Sequence, residues 1–255
     1  MSLHWSHFLI VCPLSLLGGY VDAIAGGGGF FTLTAYLLAG LPIHNAIATN
    51  KLSSSMGTAL TAARYIRRGF VPLRLVPVCV PGALLGAAVG ARVALYISDA
   101  LFSRIILVLL PFAAFYVLRR RDLNDGKPLS ELPFVRTALV CAAISFGMGV
   151  YDGFYGPGTG TFLILLLTGL ARLDLQTANG TCKVMNLSTN LASLAVYLVS
   201  GNVIYLLGLT AGVFNLCGNW LGSGAFVRRG SQLAKPMIAL VLAVFFFKLL
   251  WEQFF

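Results

Sequence analysis

The sequence predicts an all-α membrane protein, a multi-span helical bundle of two pseudo-symmetric, inverted five-segment repeats with glycine-broken helices. Two observations predict the membrane class. The 255-residue chain is 58% hydrophobic and only 10% charged, with a mean hydropathy of +0.87, whereas soluble domains carry about a quarter charged residues. Apolar runs recur from end to end, and most reach the roughly 20 residues that cross a bilayer.

Ten apolar segments are predicted, with boundaries that are expected to move by several residues. They cover about residues 8–25, 28–39, 45–66, 72–96, 100–118, 134–151, 160–171, 177–199, 203–226 and 234–251. The second and seventh segments are short, and both lie beside a glycine-rich break. The sequence leaves open whether these two segments span the membrane or are re-entrant.

A polar stretch near the middle of the chain divides it into two halves. It contains the turn-forming run Asn124-Asp125-Gly126. We therefore predict a first transmembrane repeat at 1–120, a connecting cytoplasmic loop at 121–133 and a second transmembrane repeat at 134–255.

The two halves match when one is shifted by 132 residues. Lys51 then aligns with Lys183, and threonine, tyrosine and glycine positions around the lysines also coincide. Asp22 and Asp152 align only if the second copy carries two extra residues in its glycine turn. The match predicts an internal repeat.

Basic residues predict that the second repeat is inverted. The joint after the third segment carries Arg64, Arg67, Arg68 and Arg74, whereas its counterpart at 200–202 is uncharged. Because basic joints remain in the cytoplasm, equivalent joints are expected on opposite sides of the membrane. Five spans per half produce this inversion and place both termini outside, whereas four spans per half would put the arginines after the ninth segment outside.

Composition and motifs argue against several other classes. The net charge of +10 arises mainly in the joints, as orientation signals do, so nucleic-acid binding is not expected. Five cysteines stand singly in apolar stretches and are expected to be free core thiols. No catalytic triad, metal-ligand cluster or nucleotide loop is apparent, so we expect neither an enzyme nor a metal or cofactor.

Two lysines within apolar segments, Lys51 and Lys183, are the leading candidates for function. An ammonium group inside a span costs at least about 2.5–3.5 kcal/mol, so it persists only where it is paired or lines a wet cavity. The alternative is that each lysine extends to the membrane surface. Neighbouring donors could complete the hydrogen bonds of an anion, namely Thr49, Asn50, Ser53, Thr181, Asn186 and Asn190.

Two glycine turns have a matching role. A helix that begins after Gly28 or after Gly160 presents free backbone N–H groups and the positive end of its dipole to an anion. Short, glycine-interrupted segments at matched places in two halves indicate a midplane transport site. The candidate binding residues in these turns are Gly27, Gly28, Gly29, Gly158, Thr159 and Gly160. The alternative is that the glycines serve only tight turns and close helix crossings.

Two aspartates next to the glycine turns are candidates for coupling and charge balance. Asp22 and Asp152 could take up and release protons during transport. They could equally hold the lysines in static ion pairs or cap the glycine turns. The sequence leaves these three roles open.

These motifs resemble those of the sulfite exporter TauE/SafE family, also called the toluene-sulfonate uptake permease family. The resemblance is carried by Asp22 to Gly29, by Ala48-Thr49-Asn50-Lys51 and, most specifically, by the run from Asp152 to Phe162. It covers nearly the whole chain. It implies a bacterial inner-membrane permease for sulfite, sulfonates or related small sulfur-containing anions.

The resulting expectation is a multi-pass secondary transporter of the inner membrane that moves a small anion by alternating access. The anion is expected to be sulfite, an organosulfonate or a related sulfur-containing or carboxylate anion. The expected partners are this anion, the lipid bilayer and a coupling proton or sodium ion. A passive anion channel and a non-transporting membrane scaffold subunit are the alternatives. The sequence decides neither the anion, the direction and the coupling ion, nor whether the chain forms a homo-oligomer.

Overall fold

The structure is a computed structural model that describes residues 3–98, 101 and 133–254, with side chains described as far as residue 244. Within these ranges the regular structure is α-helical. The helices are α1 (Trp5–Ala25), α2 (Gly28–Leu38), α3 (Ile43–Arg67), α4 (Val76–Tyr96), α5 (Phe134–Phe154), α6 (Thr159–Gly169), α7 (Leu175–Val199), α8 (Tyr205–Arg229) and α9 (Ser231–Phe254).

Every predicted apolar segment within the described ranges coincides with one of these helices. The largest difference is at α4, which begins at Val76 instead of 72, because residues 72–75 form a turn in which the Leu75 amide donates to the Pro72 carbonyl at 2.9 Å. The fifth segment, apart from residue 101, and the connecting loop, apart from Pro133, lie outside the described residues.

Three of the described helices, α1, α4 and α5, are long and apolar enough to cross a membrane on length and composition alone. The helices α3, α7 and α8 have 25 residues each, which is about 37 Å and exceeds the roughly 30 Å hydrocarbon core. They are less apolar because they carry a buried polar face. These three helices carry buried polar side chains into the interior of the bundle.

Helix lengths recur in the two halves of the chain. Helices α1 and α5 have 21 residues each, α2 and α6 have 11, and α3 and α7 have 25. The turn between α1 and α2 consists of Gly26 and Gly27, whereas residues 155–158 separate α5 from α6. The second turn is therefore two residues longer, as the alignment of Asp22 with Asp152 requires.

Helices α3 and α8 run parallel. Thr49, near the start of α3, accepts a hydrogen bond from the Ile204 amide just before α8, at 3.1 Å. Arg64, near the end of α3, donates to the Ser223 hydroxyl near the end of α8, at 2.7 Å. The arginine-rich C-terminal ends of both helices therefore lie at one end of the bundle, and the uncharged joint at 200–202 lies at the other.

Helix α7 runs antiparallel to α3. Gly180, near the start of α7, packs against the backbone of Phe70, which follows the end of α3. Farther along α7, Asn190 accepts a hydrogen bond from Lys51, in the first half of α3. The start of α7 therefore lies at the arginine-rich end of the bundle.

Small residues bring helices of opposite halves into close contact. A Cβ atom added at Gly86 of α4 would meet the Phe146 carbonyl of α5, and one added at Gly218 of α8 would meet the Leu16 carbonyl of α1. Both glycines belong to runs with four-residue spacing, which lets helix backbones approach closely in lipid. These glycine runs therefore serve close helix packing.

The prediction that all five cysteines are core thiols was wrong for Cys217. The cysteines are free, and four are buried, but Cys217 lies exposed on α8. Apolar neighbours on α8, Val213 and Phe214, are exposed as well, so Cys217 belongs to the outer face of the bundle. The prediction failed because apolar neighbours in the sequence occur both in the core and on the outer surface of a membrane protein.

The variant Gly86→Ala should destabilise the protein by roughly 1–3 kcal/mol, because the added methyl group forces α4 away from α5. Gly147→Ala is the matched control, since a Cβ at Gly147 of α5 meets nothing within 4 Å. The control should be neutral or stabilising by about 0.5–1 kcal/mol, the helix preference of alanine over glycine. Thermal unfolding in detergent measures both, and equal melting temperatures would contradict the packing.

Candidate functional site

Each of the two buried lysines forms an ion pair with the aspartate of the other half. Lys51 Nζ on α3 donates to Asp152 Oδ2 on α5 at 2.7 Å. Lys183 Nζ on α7 donates to Asp22 Oδ2 on α1 at 2.9 Å. Lys51 is 2% exposed and Lys183 is 0% exposed, so neither side chain extends to the surface.

Each ammonium group also has a second acceptor. Lys51 Nζ donates to Asn190 Oδ1 at 3.1 Å, and Lys183 Nζ donates to the backbone carbonyl of Asp22 at 2.5 Å. These bonds matter because a buried charge is tolerated only when its polar hydrogens are satisfied. Removing one member of such a pair typically costs 3–5 kcal/mol, since the remaining charge is left without compensation.

Two tyrosines hold the helix ends that carry the aspartates. Tyr65 donates its hydroxyl hydrogen to the Ala23 carbonyl at 2.7 Å, and Tyr197 donates to the Gly153 carbonyl at 3.2 Å. Each carbonyl belongs to the residue that follows the aspartate, in the last turn of a helix, where backbone carbonyls lack helical partners. The tyrosines therefore fix the positions of both carboxylates.

The glycine turns pass close to these ion pairs. Gly156 has a φ of +100°, and a Cβ there would lie 3.1 Å from Lys51 Nζ and 3.2 Å from Asp152 Oδ1. The backbones of Gly26 and Gly160 touch each other, so neither position has room for a side chain. Glycine is required here both by backbone conformation and by space.

A small polar cavity lies where Lys51, the two aspartates and the glycine turns converge. Its volume is about 20 Å³, which is room for roughly one water molecule. Its described lining consists of glycines and polar or charged residues, without an apolar side chain. Gly28 and Gly29 at the start of α2 line it, as do Thr159 and Gly160 at the start of α6. The positive dipole ends of both helix starts and the Lys51 ammonium make this cavity suited to an anion.

A sequence model of the family described as Sulfite exporter TauE/SafE matches residues 11–249. The chain belongs to the TauE/SafE family. The resemblance of its motifs to this family is thereby confirmed over nearly the whole chain. Family membership, together with the apolar helices, makes the chain an integral membrane protein.

Three similar TauE/SafE relatives come from different bacteria. A "Probable membrane transporter protein" of Haemophilus influenzae is 32% identical over 245 residues, covering 96% of this chain and 94% of the relative. The "Probable membrane transporter protein YfcA" of Escherichia coli K12 is 31% identical over 243 residues, covering 94% and 88%. The "Probable membrane transporter protein YdhB" of Bacillus subtilis is 24% identical over 216 residues, covering 84% and 88%. No solved structure gives a significant match.

Ten of the residues that the sequence proposes as candidates line the polar cavity. They are Asp22, Gly28, Gly29, Asn50, Lys51, Asp152, Thr159, Gly160, Asn186 and Asn190. Six do not, namely Gly27, Thr49, Ser53, Gly158, Thr181 and Lys183. Lys183 is enclosed by its contacts with Asp22, Ser53 accepts a hydrogen bond from Tyr36, and Gly27 lies against Val241.

Five lining residues were not among the sequence candidates. They are Gly26, Ser54, Thr58, Gly156 and Asn215. Ser54 and Thr58 follow Asn50 at four-residue intervals, which places all three on one face of α3, and the 132-residue shift aligns them with Asn186 and Asn190 of α7. A polar stripe at helical spacing would have identified these two residues.

The buried hydroxyl of Thr181 has no hydrogen-bond partner within the described part of the chain. Its aligned counterpart, Thr49, accepts a hydrogen bond from the Ile204 amide. The residue 132 positions before Ile204 is Pro72, which has no N–H to donate. The position aligned with Ile204 therefore offers no backbone amide to Thr181.

A double-mutant cycle should reveal the cross-half pairing. Lys51→Met and Asp152→Asn should each destabilise the protein by about 3–5 kcal/mol, because each leaves a buried charge alone. The double variant should recover at least about 1–3 kcal/mol relative to the sum of the two single effects. Thermal unfolding in detergent provides the measurement.

The matched control combines Lys51→Met with Asp22→Asn, which removes one member from each pair. This variant should show little recovery, since it leaves Asp152 and Lys183 without their ion-pair partners. Equal recovery in both double variants would contradict the pairing.

Proposed function

We propose that this protein is a secondary transporter that moves a small anion across the bacterial inner membrane through the cavity described above. The observation that carries the proposal is the wholly polar cavity at the junction of the two halves, with a buried ammonium group and two helix starts on its lining. The names of the relatives, each a probable membrane transporter protein, support the same class.

The charge balance of the site supports coupling to a cation. Two lysines and two aspartates make the empty site formally neutral. An incoming anion adds an uncompensated negative charge to an interior where each unpaired ion costs several kcal/mol. Binding of a proton by Asp22 or Asp152, or of a sodium ion nearby, restores neutrality and releases a lysine to contact the anion. Anion and cation would then enter together.

Alternating access is proposed to come from two inverted repeats. The matching helix lengths and the opposite directions of α3 and α7 support the inversion. Because basic ends remain in the cytoplasm, the end that carries Arg67 and Arg229 is assigned to that side. Five segments per half then place both termini outside, and the short helices α2 and α6 return from the glycine turns toward the sides where α1 and α5 begin.

The lining of the cavity bears on the substrate class. It consists of glycines and polar or charged residues and lacks apolar side chains. We therefore favour sulfite, or a comparably small sulfur-containing or carboxylate anion, over an organosulfonate with a large apolar group. The cavity volume of about 20 Å³ holds roughly one water molecule, so the site must expand to admit the anion.

Sulfite should raise the melting temperature of the purified protein, because a ligand that binds only the folded state stabilises it by about 2.7 kcal/mol at 100 times its Kd. Lys51→Gln/Asp152→Asn should lose this shift, since it removes the cation without leaving a lone charge. Arg74→Gln, an exposed change outside the cavity lining, is the control.

In proteoliposomes, the wild type should accumulate sulfite under a proton or sodium gradient, whereas gradient-independent flux would favour a channel.

Single cysteines at the joints should test the proposed inversion. In a Cys217→Ser background, Ser200→Cys should react with a membrane-impermeant maleimide in intact spheroplasts, because its joint is assigned to the outer side. Arg67→Cys should react only after the membrane is permeabilised. Both positions are exposed, so a failure to react in intact cells reports the side of the membrane. Labelling of both from the same side would rule out the inversion.

A further inference from the structure

A groove between the C-terminal ends of α3 and α8 combines cationic and apolar side chains. Its volume is about 580 Å³, and it is separate from the polar cavity. Arg64, Arg68 and Arg228 form the cationic part of its lining, and Trp220 and Leu221 form an apolar part. Its described lining includes no acidic residue. The groove therefore matches a ligand that is anionic at one end and apolar at the other.

One arginine of the groove is held in place by its neighbours. Arg64 Nη1 donates to the Trp220 carbonyl at 2.6 Å and to the Ser223 hydroxyl at 2.7 Å. Its guanidinium carbon lies 5.9 Å from the centre of the Trp220 ring, within the range of a cation–π contact. A Cβ at Gly224 would lie 3.3 Å from Nη1, so glycine leaves room for this arrangement. A guanidinium has five N–H donors, and those not used here remain to bind an anion.

The apolar side of the groove faces outward from the bundle. Trp220 is 55% exposed and Leu221 is 48% exposed, and in a membrane such surfaces contact acyl chains. Tryptophan is enriched where the hydrocarbon core meets the headgroups. The groove thus offers apolar contacts beside a cluster of arginines at the arginine-rich end of the bundle, which is the arrangement that anionic headgroups recognise at the cytoplasmic leaflet.

We propose that this groove binds an anionic phospholipid, with the phosphate of the headgroup on Arg64, Arg68 and Arg228 and an acyl chain along Trp220 and Leu221. A soluble anion would use the arginines but gain nothing from the exposed apolar surface. This site does not depend on the proposed transport function, because none of its residues lines the polar cavity.

Quenching of Trp220 fluorescence by lipids with brominated acyl chains tests the site. The protein is titrated in neutral detergent with brominated phosphatidylglycerol or with brominated phosphatidylcholine of the same chains. The Trp220→Phe variant supplies the signal of the other tryptophans for subtraction. Phosphatidylglycerol should saturate the quenching at a concentration at least tenfold lower than phosphatidylcholine does. Equal saturation by the two lipids would overturn the proposal.

Paired charge variants separate the groove from general surface charge. Arg68→Gln/Arg228→Gln should weaken phosphatidylglycerol binding by about 25-fold. Arg74→Gln/Arg229→Gln removes the same charge from the same end of the bundle, outside the groove lining, and should change binding less than threefold. Equal losses in the two variants would overturn the proposal.

Two further arms keep the result interpretable. The charge-preserving variant Arg68→Lys/Arg228→Lys should retain most of the preference for phosphatidylglycerol, and its loss of that preference would contradict phosphate recognition by charge. Inorganic phosphate at the same concentration as the lipid should not displace phosphatidylglycerol. Displacement would show a site for phosphate alone and would overturn the lipid assignment.

Discussion

The buried ammonium groups of Lys51 and Lys183 constrain the rest of this structure. A lysine in the interior of a membrane protein must have a partner, and each of these lysines finds it in the other half, on Asp152 and Asp22. The pairing explains why the halves meet where they do. It also explains why the chain between Asp152 and α6 is glycine-rich, since a side chain at Gly156 would lie against the ion pair.

The same pairs connect the fold with the proposed transport cycle. They join the halves in this conformation, and they contain the charges that an anion and a coupling cation would redistribute. The close glycine-mediated contacts of α4 with α5 and of α8 with α1 also link opposite halves. The two kinds of contact differ in their response to a charged substrate. The charge of an incoming anion weakens or replaces an ion pair, whereas it does not alter van der Waals packing between helices. Opening of the site is therefore expected to begin at the lysines.

The helices and much of the site could be predicted from the sequence because their causes are local. Apolar runs gave the helix positions, and glycine breaks gave the starts of α2 and α6. The partner of each lysine could not be predicted, because both aspartates lie next to glycine turns and only the packing of α3 and α7 between the halves decides which carboxylate each ammonium meets. The cavity lining includes Lys51 but not Lys183, a difference that the aligned positions of the two lysines do not show. The unsatisfied hydroxyl of Thr181 could not be predicted either, because no local pattern shows which backbone amide lies beside it.

The most direct test of the central claim, that an anion binds at the cross-half ion pairs, is a crystal structure with selenite, a heavier analogue of sulfite whose selenium is located by anomalous scattering. We expect selenium in the polar cavity within hydrogen-bonding reach of Lys51, with the Lys51–Asp152 separation longer than the present 2.7 Å. Selenium bound elsewhere, with both ion pairs unchanged, would contradict it.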